Sequence, residues 1–244
     1  MSSEPPGSIW SRPERGSRGA AYSREEIARA AIAIADAEGF EAVSMRRVAS
    51  ELGAGTMTLY HYVRNKDELI QLIDDAIMGE LLIPDGELSE DWREATAQLA
   101  RSTFSIFRNH PWTVDLPPGT EEGPNGIKHF EQSLTAVSGT GLDRDGMLDI
   151  IFMVDDYAFG AVLRRNMLNK AFADESGEEW VASQMRRLSE LESGEYPLLK
   201  SFYEGEDPEL LVQQAMEMIN DDSRFERGLQ ILLDGIELRI QTGW

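Results

Sequence analysis

Between Thr56 and Tyr62 the chain places two threonines, a methionine, two tyrosines and a histidine around a single apolar residue, Leu59, with Val63 just beyond. On a helix, Leu59 and Val63 share one face, because residues four apart are neighbours. The hydroxyls, phenols and imidazole of Thr56, Thr58, Tyr60, His61 and Tyr62 are then left to face outward. Hydroxyls and an imidazole can bond base edges or phosphates, and the methyls of Met57 and the threonines can touch thymine methyl groups. Lys66 stands close behind, where its charge would join the amide donors of a helix N-terminus in holding a phosphate. This is the chemistry of reading a duplex. The alternative is a small helical subdomain with a polar exposed face.

Bond-making chemistry has little to stand on. The chain has three histidines (His61, His110 and His129) and no cysteine. It has no glycine-rich phosphate loop, no nucleophile beside a base and no metal-ligand spacing. Asp155 and Asp156 are adjacent, so they leave a helix in different directions and make a poor acid–base pair. No catalytic residue, metal ligand or cofactor is expected. A helical adaptor that binds only protein is the third class, and the polar Thr56–Tyr62 helix followed by Lys66 speaks against it.

The elements that would position the reading residues are short helices with clear ends. Ser23 and Glu26 form a capping box ahead of Ile27, Ala30, Ala31 and Ile34, and Gly39 ends that helix. Ser44 caps a second helix with Val48 and Leu52 on its inner face, and Arg46 and Ser44 at its start are expected to meet DNA. Gly53 closes it after two turns, and a third helix opens at Gly55 or Thr56 and runs through Val63. Two short helices joined at Gly53–Gly55 make a helix-turn-helix over 44–63. Asn65 caps a fourth helix with Leu69, Leu72, Ile73 and Ile77 as its stripe. Residues 1–22, rich in Ser, Pro, Gly and Arg, read as a flexible arm. Arg12, Arg15 and Arg18 in it are either incidental or minor-groove contacts.

The net charge of −21 is distributed unevenly. Residues 1–70 hold nine Lys and Arg against ten Asp and Glu, and the remainder holds 14 against 34. A near-neutral head on an acidic body can bind DNA, and phosphate repulsion would hold the body away from the duplex. No apolar run approaches the roughly 20 residues of a membrane span, and the N-terminus lacks the layout of a signal peptide. A cytoplasmic, nucleoid-associated protein is expected.

The stretch from Val48 to Leu69, within a match over 23–80, resembles the signature of TetR-type transcriptional regulators: Thr58-Leu-Tyr60, the aromatic pair around His61, and Asn65-Lys66. The resemblance implies an all-α dimer with a three-helix DNA-binding domain at 23–70. A larger ligand-binding and dimerisation domain would follow at 71–244. It implies that Thr56, Met57, Thr58, Tyr60, His61, Tyr62 and Lys66 meet double-stranded operator DNA. Asp91-Trp-Arg93, His110-Pro-Trp112 and Gly123-Pro-Asn125 resemble effector domains of the tetracycline-repressor branch. There a histidine near the position of His110 helps hold a magnesium–drug complex. Here Arg164 stands where that branch has a supporting carboxylate, and a cation beside a metal is repulsive, so a metal-free small-molecule inducer is expected.

Residues 147–168 are apolar nearly all round, as for a helix buried on every side, either in one chain's core or against a partner. Residues 225–240 carry one stripe: Phe225, Leu229, Leu232, Leu233, Ile236 and Ile240. The resemblance implies that these two segments form the homodimer. Asp155, Asp156 and Arg164 either pair across that dimer or line the effector pocket. Phe104, Phe107, His110, Trp112, Phe152, Tyr157 and Met167 are its other candidate walls.

Overall fold

A computed structural model of the chain describes residues 8–13, 22–117, 121–173, 196–203 and 221–243, with isolated positions between 179 and 218. Among the described residues every regular element is helical: α1 (Arg24–Glu38), α2 (Met45–Glu51), α3 (Thr56–Leu59), α4 (Lys66–Leu81), α5 (Trp92–Asn109), α6 (Pro124–Val137), α7 (Arg144–Ala173), α8 (Pro197–Tyr203) and α9 (Asp222–Thr242). No described helix is long and apolar enough to cross a membrane.

The helix starts follow from local bonding. Ser23 accepts from the Glu26 amide at 3.1 Å while the Glu26 carboxylate accepts from the Ser23 amide at 2.7 Å, the reciprocal pair of a capping box. The Ser23 amide holds the Glu26 carboxyl below its ordinary range. Ser44, Asn65 and Asp91 cap α2, α4 and α5 in the same way. The third helix is shorter than its spacing suggests. Regular α structure ends at Leu59, and Tyr62 and Val63 continue it only as turns whose amides bond the Leu59 carbonyl.

The chain separates into two compact units, Met1–Phe159 with Ile236–Trp244, and Gly160–Gly235. Leu69, Ile70, Ile73 and Ile77 of α4 are buried in the same cluster as Ile27 and Ile34 of α1, and Trp112 joins them. In the second unit Arg165 is paired with Asp222 at 2.6 Å. Helix α7 is not buried on all sides. Ile150, Ile151, Val154, Ala158 and Val162 are covered, whereas Phe152, Met153, Phe159 and Met167 are exposed. Along α9, Phe225, Leu229, Leu233 and Ile236 are buried, and Ile231 and Leu238 are exposed.

The expectation of a flexible arm over 1–22 needs correction at residues 8–13. Ser8 caps a short 3-10 turn, Ile9–Ser11, and Ile9 is fully buried in the head's core. The Arg12 guanidinium donates to Glu68 Oε2 at 2.6 Å, so it is bound to the head's own carboxylate rather than presented to a groove. Arg15 and Arg18 lie outside the described residues. Removing a buried Ile side chain down to Ala costs about 2–5 kcal/mol. Ile9→Ala should therefore lower the thermal midpoint of the full chain by several degrees in a circular-dichroism melt. An unchanged midpoint would return residues 8–13 to the flexible arm.

Candidate nucleic-acid interface and internal cavity

The turn between α2 and α3 depends on Gly53, whose φ of 66° lies in the left-handed region that a Cβ disfavours. Gly55 has an ordinary φ of −74° and needs no such freedom. Leu59 and Val63 are buried as their spacing requires, which turns the rest of the segment outward. Met57 is 74% exposed and Tyr60 43%, and His61 is exposed as well. Thr56, Thr58 and Tyr62 are half-buried. The Tyr62 ring meets Tyr22 edge-on at 6.3 Å, and the Tyr22 hydroxyl donates to the Leu52 carbonyl at 2.9 Å. Tyr22 thereby braces the turn against α2.

The basic side chains divide into engaged and available. Arg47 donates to Glu38 and Glu51, each at 2.7 Å, and Arg12 is held by Glu68. Arg46 and Arg64 are exposed, and no described carboxylate pairs with either. Ser44 is exposed beside Arg46, its hydroxyl capping the Arg47 amide at 3.2 Å. Arg64 is a candidate that motif reading passed over. Its signal is its place just ahead of the α4 cap. Lys66 is exposed, with its ammonium 5.7 Å from the centroid of the Phe40 ring. The amides of the α4 N-terminus are less open than expected. Asn65 takes the Glu68 amide at 2.8 Å, and the Glu68 carboxylate accepts the Arg64 amide at 2.7 Å. A phosphate there would meet the charge of Lys66 more than the helix amides.

Behind the head, in the same unit, lies a cavity of about 600 Å³. The second half of α4 supplies Asp74, Asp75, Met78 and Leu81 to its wall. Phe107, Phe130, Phe152 and Phe159 supply rings, and Phe107 meets Phe159 edge-on at 5.5 Å. Asp75 has a structural task. It accepts from the Asn125 and Gly126 amides at 2.8 and 3.3 Å and from Asn125 Nδ2 at 3.1 Å, fastening the N-terminus of α6 to α4. A Cβ at Gly123 would overlap the Asp75 carboxylate and the Trp10 ring, so only glycine allows this approach. Burial pushes the Asp75 carboxyl upward. Burial likewise pushes the His129 imidazole down, and its Nε2 is sealed from solvent without a hydrogen-bond partner.

Asp155 and Asp156 both line the cavity, although adjacent helix residues diverge. Burial, and then the neighbouring charge of Asp156, push the Asp155 carboxyl up to about 6. Of the other expected wall residues, Phe107 and Phe152 are present and several are not. Phe104 is buried with the Arg108 guanidinium over its ring at 5.9 Å. Tyr157 is half-buried away from the wall, and Arg164 and Met167 are exposed in the second unit. His110 and Trp112 also belong elsewhere. His110 Nδ1 lies 2.7 Å from Asp36 and its Nε2 lies 3.1 Å from Glu80. The Trp112 indole donates to the same Asp36 oxygen at 2.7 Å and stacks on Phe40 at 6.0 Å. These two residues latch the end of α5 to α1 and α4. With both ring nitrogens facing those carboxylates, His110 does not fit a metal-ligand role at the cavity. Among the described residues no group of three or more metal-type side chains is placed to hold a metal ion.

Residues 27–73 match the family described as bacterial regulatory proteins, tetR family, and residues 84–240 match the tetracyclin repressor-like C-terminal domain. The HTH-type transcriptional repressor DrrR1 of Streptomyces coeruleorubidus is 34% identical over 240 residues, covering 95% of this chain and 84% of that one. The tetracycline repressor protein class E of Escherichia coli is 26% identical over 152 residues, 62% of this chain and 72% of that one. Among solved structures, the TetR family protein ActR of Streptomyces coelicolor in complex with actinorhodin aligns with a TM-score of 0.64 at 25% identity, over 90% of this chain and 98% of that one.

The upward displacement of Asp155 has a sign. The folded chain keeps this proton to about pH 6, whereas the carboxyl's ordinary value is 3.8. Its ionisation therefore costs stability as pH rises through that window, and the loss is complete above it. The whole displacement corresponds to about 3 kcal/mol, an upper figure for a group that is not fully buried. Asp155→Asn should melt higher than the parent chain near neutral pH, with the gap closing below about pH 4. A variant that melts lower near neutral pH would contradict the unpaired, buried carboxylate.

Proposed function

The chain belongs to the tetR family of bacterial regulatory proteins, and from that premise we propose that it is a ligand-responsive repressor that grips a palindromic operator as a dimer and lets go when a small molecule enters the cavity. It regulates transcription and is not an enzyme. The observation that carries the reading is the continuity of α4. Its first residue, Lys66, is exposed just beyond the Thr56–Tyr62 turn, and Asp74, Asp75, Met78 and Leu81 on its second half are cavity wall. A ligand that displaces the wall displaces the head with it.

In this reading Thr56, Met57, Thr58, Tyr60, His61 and Tyr62 enter the major groove, with Ser44, Arg46 and Lys66 on the flanking phosphates. Arg15 and Arg18 reach the neighbouring minor groove, and Arg12 does not. Two heads of a dimer occupy successive major grooves roughly 34 Å apart or slightly more. The second copy is met through α7 and α9, where Met153, Met167, Ile231 and Leu238 leave apolar surface exposed on one chain. The effector binds best when the heads are wrongly spaced, and release is limited by its differential affinity for the two spacings. ActR in complex with actinorhodin supports a small-molecule effector, and the tetracycline-repressor relatives support an efflux or metabolite-handling gene as the target, read in the cytoplasm on the nucleoid.

Gel shift with the DNA upstream of its own gene should give salt-sensitive retention. Thr58→Ala or His61→Ala should cost about 1–3 kcal/mol on the best site and relax base preference at one position per half-site. Lys66→Ala should weaken all sites alike and lower the salt slope by about one per head. Retention that ignores salt, or Thr58→Ala and His61→Ala with affinity and preference intact, would remove the reading turn from the interface.

A further inference from the structure

Resting on the reading of this cavity as the effector site, we propose that its effector is a cation: an aromatic or polycyclic molecule carrying a protonated amine, whose charge is received by Asp155 and Asp156 of α7. Among the described residues five carboxylates line the cavity, from Asp74, Asp75, Glu122, Asp155 and Asp156, and no lysine or arginine does. They do not all have the same freedom. Asp75 is consumed by the α6 N-terminus. For Asp155 and Asp156 no described residue supplies a donor or a cation, and Asp155 is more than half buried.

A buried carboxylate without a partner is costly, and a ligand that brings the missing positive charge removes that cost on binding. A neutral ligand would seal the uncompensated charge further, and an anion would add repulsion. The remaining walls suit the body of such a molecule. Phe107, Phe130, Phe152 and Phe159 offer ring faces to an aromatic skeleton and, at close range, to the cation itself. His129 also lines the cavity. Burial keeps its imidazole toward the neutral form, so it adds no competing positive charge. A volume of about 600 Å³ lies in the range of drug-sized sites.

The test uses the full chain and three tricyclic probes of matched shape: cationic 9-aminoacridine, neutral acridone and anionic acridine-9-carboxylate, each titrated by fluorescence and by thermal shift. The cation should bind at least tenfold tighter than the other two. Asp155→Asn and Asp156→Asn should each cut its affinity about tenfold while leaving acridone unchanged. Glu25→Gln, on the exposed face of α1, controls for attraction to an acidic protein at large and should change nothing. Thr103→Trp, which fills the cavity, should abolish binding. Acridone or the carboxylate binding as tightly as the cation, with Thr103→Trp blocking it, would overturn the cationic class while leaving the cavity an effector site. Binding of the cation that survives both Asn variants, or that Glu25→Gln weakens equally, would overturn it as well, as would no binding of the cation at millimolar concentration. Failure of the effector reading itself would show differently: Thr103→Trp would leave probe binding untouched.

Discussion

Helix α4 has to satisfy two environments at once, and the rest of the first unit is arranged around that constraint. One of its faces contributes Leu69, Ile73 and Ile77 to the head's core, where each is all but inaccessible. Its second half also presents Asp74, Asp75 and Met78 to the cavity. A helix of this kind cannot shift against one environment and remain still against the other, because packed interiors transmit displacement rather than absorb it. Two sets of polar contacts hold it in register. Asp75 carries the N-terminus of α6, and Glu80 with Asp36 receives His110 from the end of α5. Both contacts bring a segment distant in sequence onto α4 or its partner α1, and both use a carboxylate whose alternative partner is water.

The acids of the cavity stand in contrast. Asp75 is buried but satisfied, so its charge supports structure. Asp155 is half-buried, with the like charge of Asp156 beside it. Stability alone gives no reason to keep a carboxylate in that condition, since an asparagine of the same shape would avoid the desolvation. Groups held in unfavourable ionisation states concentrate where a protein meets a ligand, and a site can be less stable than its surroundings for that reason.

Legibility in the sequence follows the range of the interactions involved. Caps at Ser23, Ser44 and Asn65 are bonds between residues three apart, so the residue types alone foretell them. The reading turn is likewise local, since the burial of Leu59 and Val63 decides where every other residue from Thr56 to Tyr62 points. The cavity is a long-range object. Nothing near His129 or Glu122 in the sequence announces that α6 will close against α4 and α5. His110 and Trp112 were legible as a polar and aromatic pair at a helix end, but the partner that decides their role, Asp36, lies in α1. Ile9 illustrates the same limit. Two adjacent apolar residues, Ile9 and Trp10, in a stretch of Ser, Pro, Gly and Arg have no periodicity to betray them, yet both pack on the head's core and Arg12 beside them reaches Glu68.

The same pairing logic resolves the net charge of −21. A count over residues 1–70 makes the head nearly neutral, yet a neutral head need not have a neutral face. Arg12 and Arg47 are already paired with carboxylates of their own domain. Arg12 and Glu68 cancel, and Arg47 is outnumbered by Glu38 and Glu51, so neither arginine adds positive field at the distance of a phosphate. Arg46, Arg64 and Lys66 are exposed without a paired carboxylate among the described residues, so the local field at the reading turn is more positive than the count suggests. The cavity acids act in the opposite sense and elsewhere. They line the cavity behind the head, away from the exposed cations of the reading turn. On the proposed function, one chain presents exposed cations at the reading turn and carboxylates at the effector cavity. The two meet only along α4.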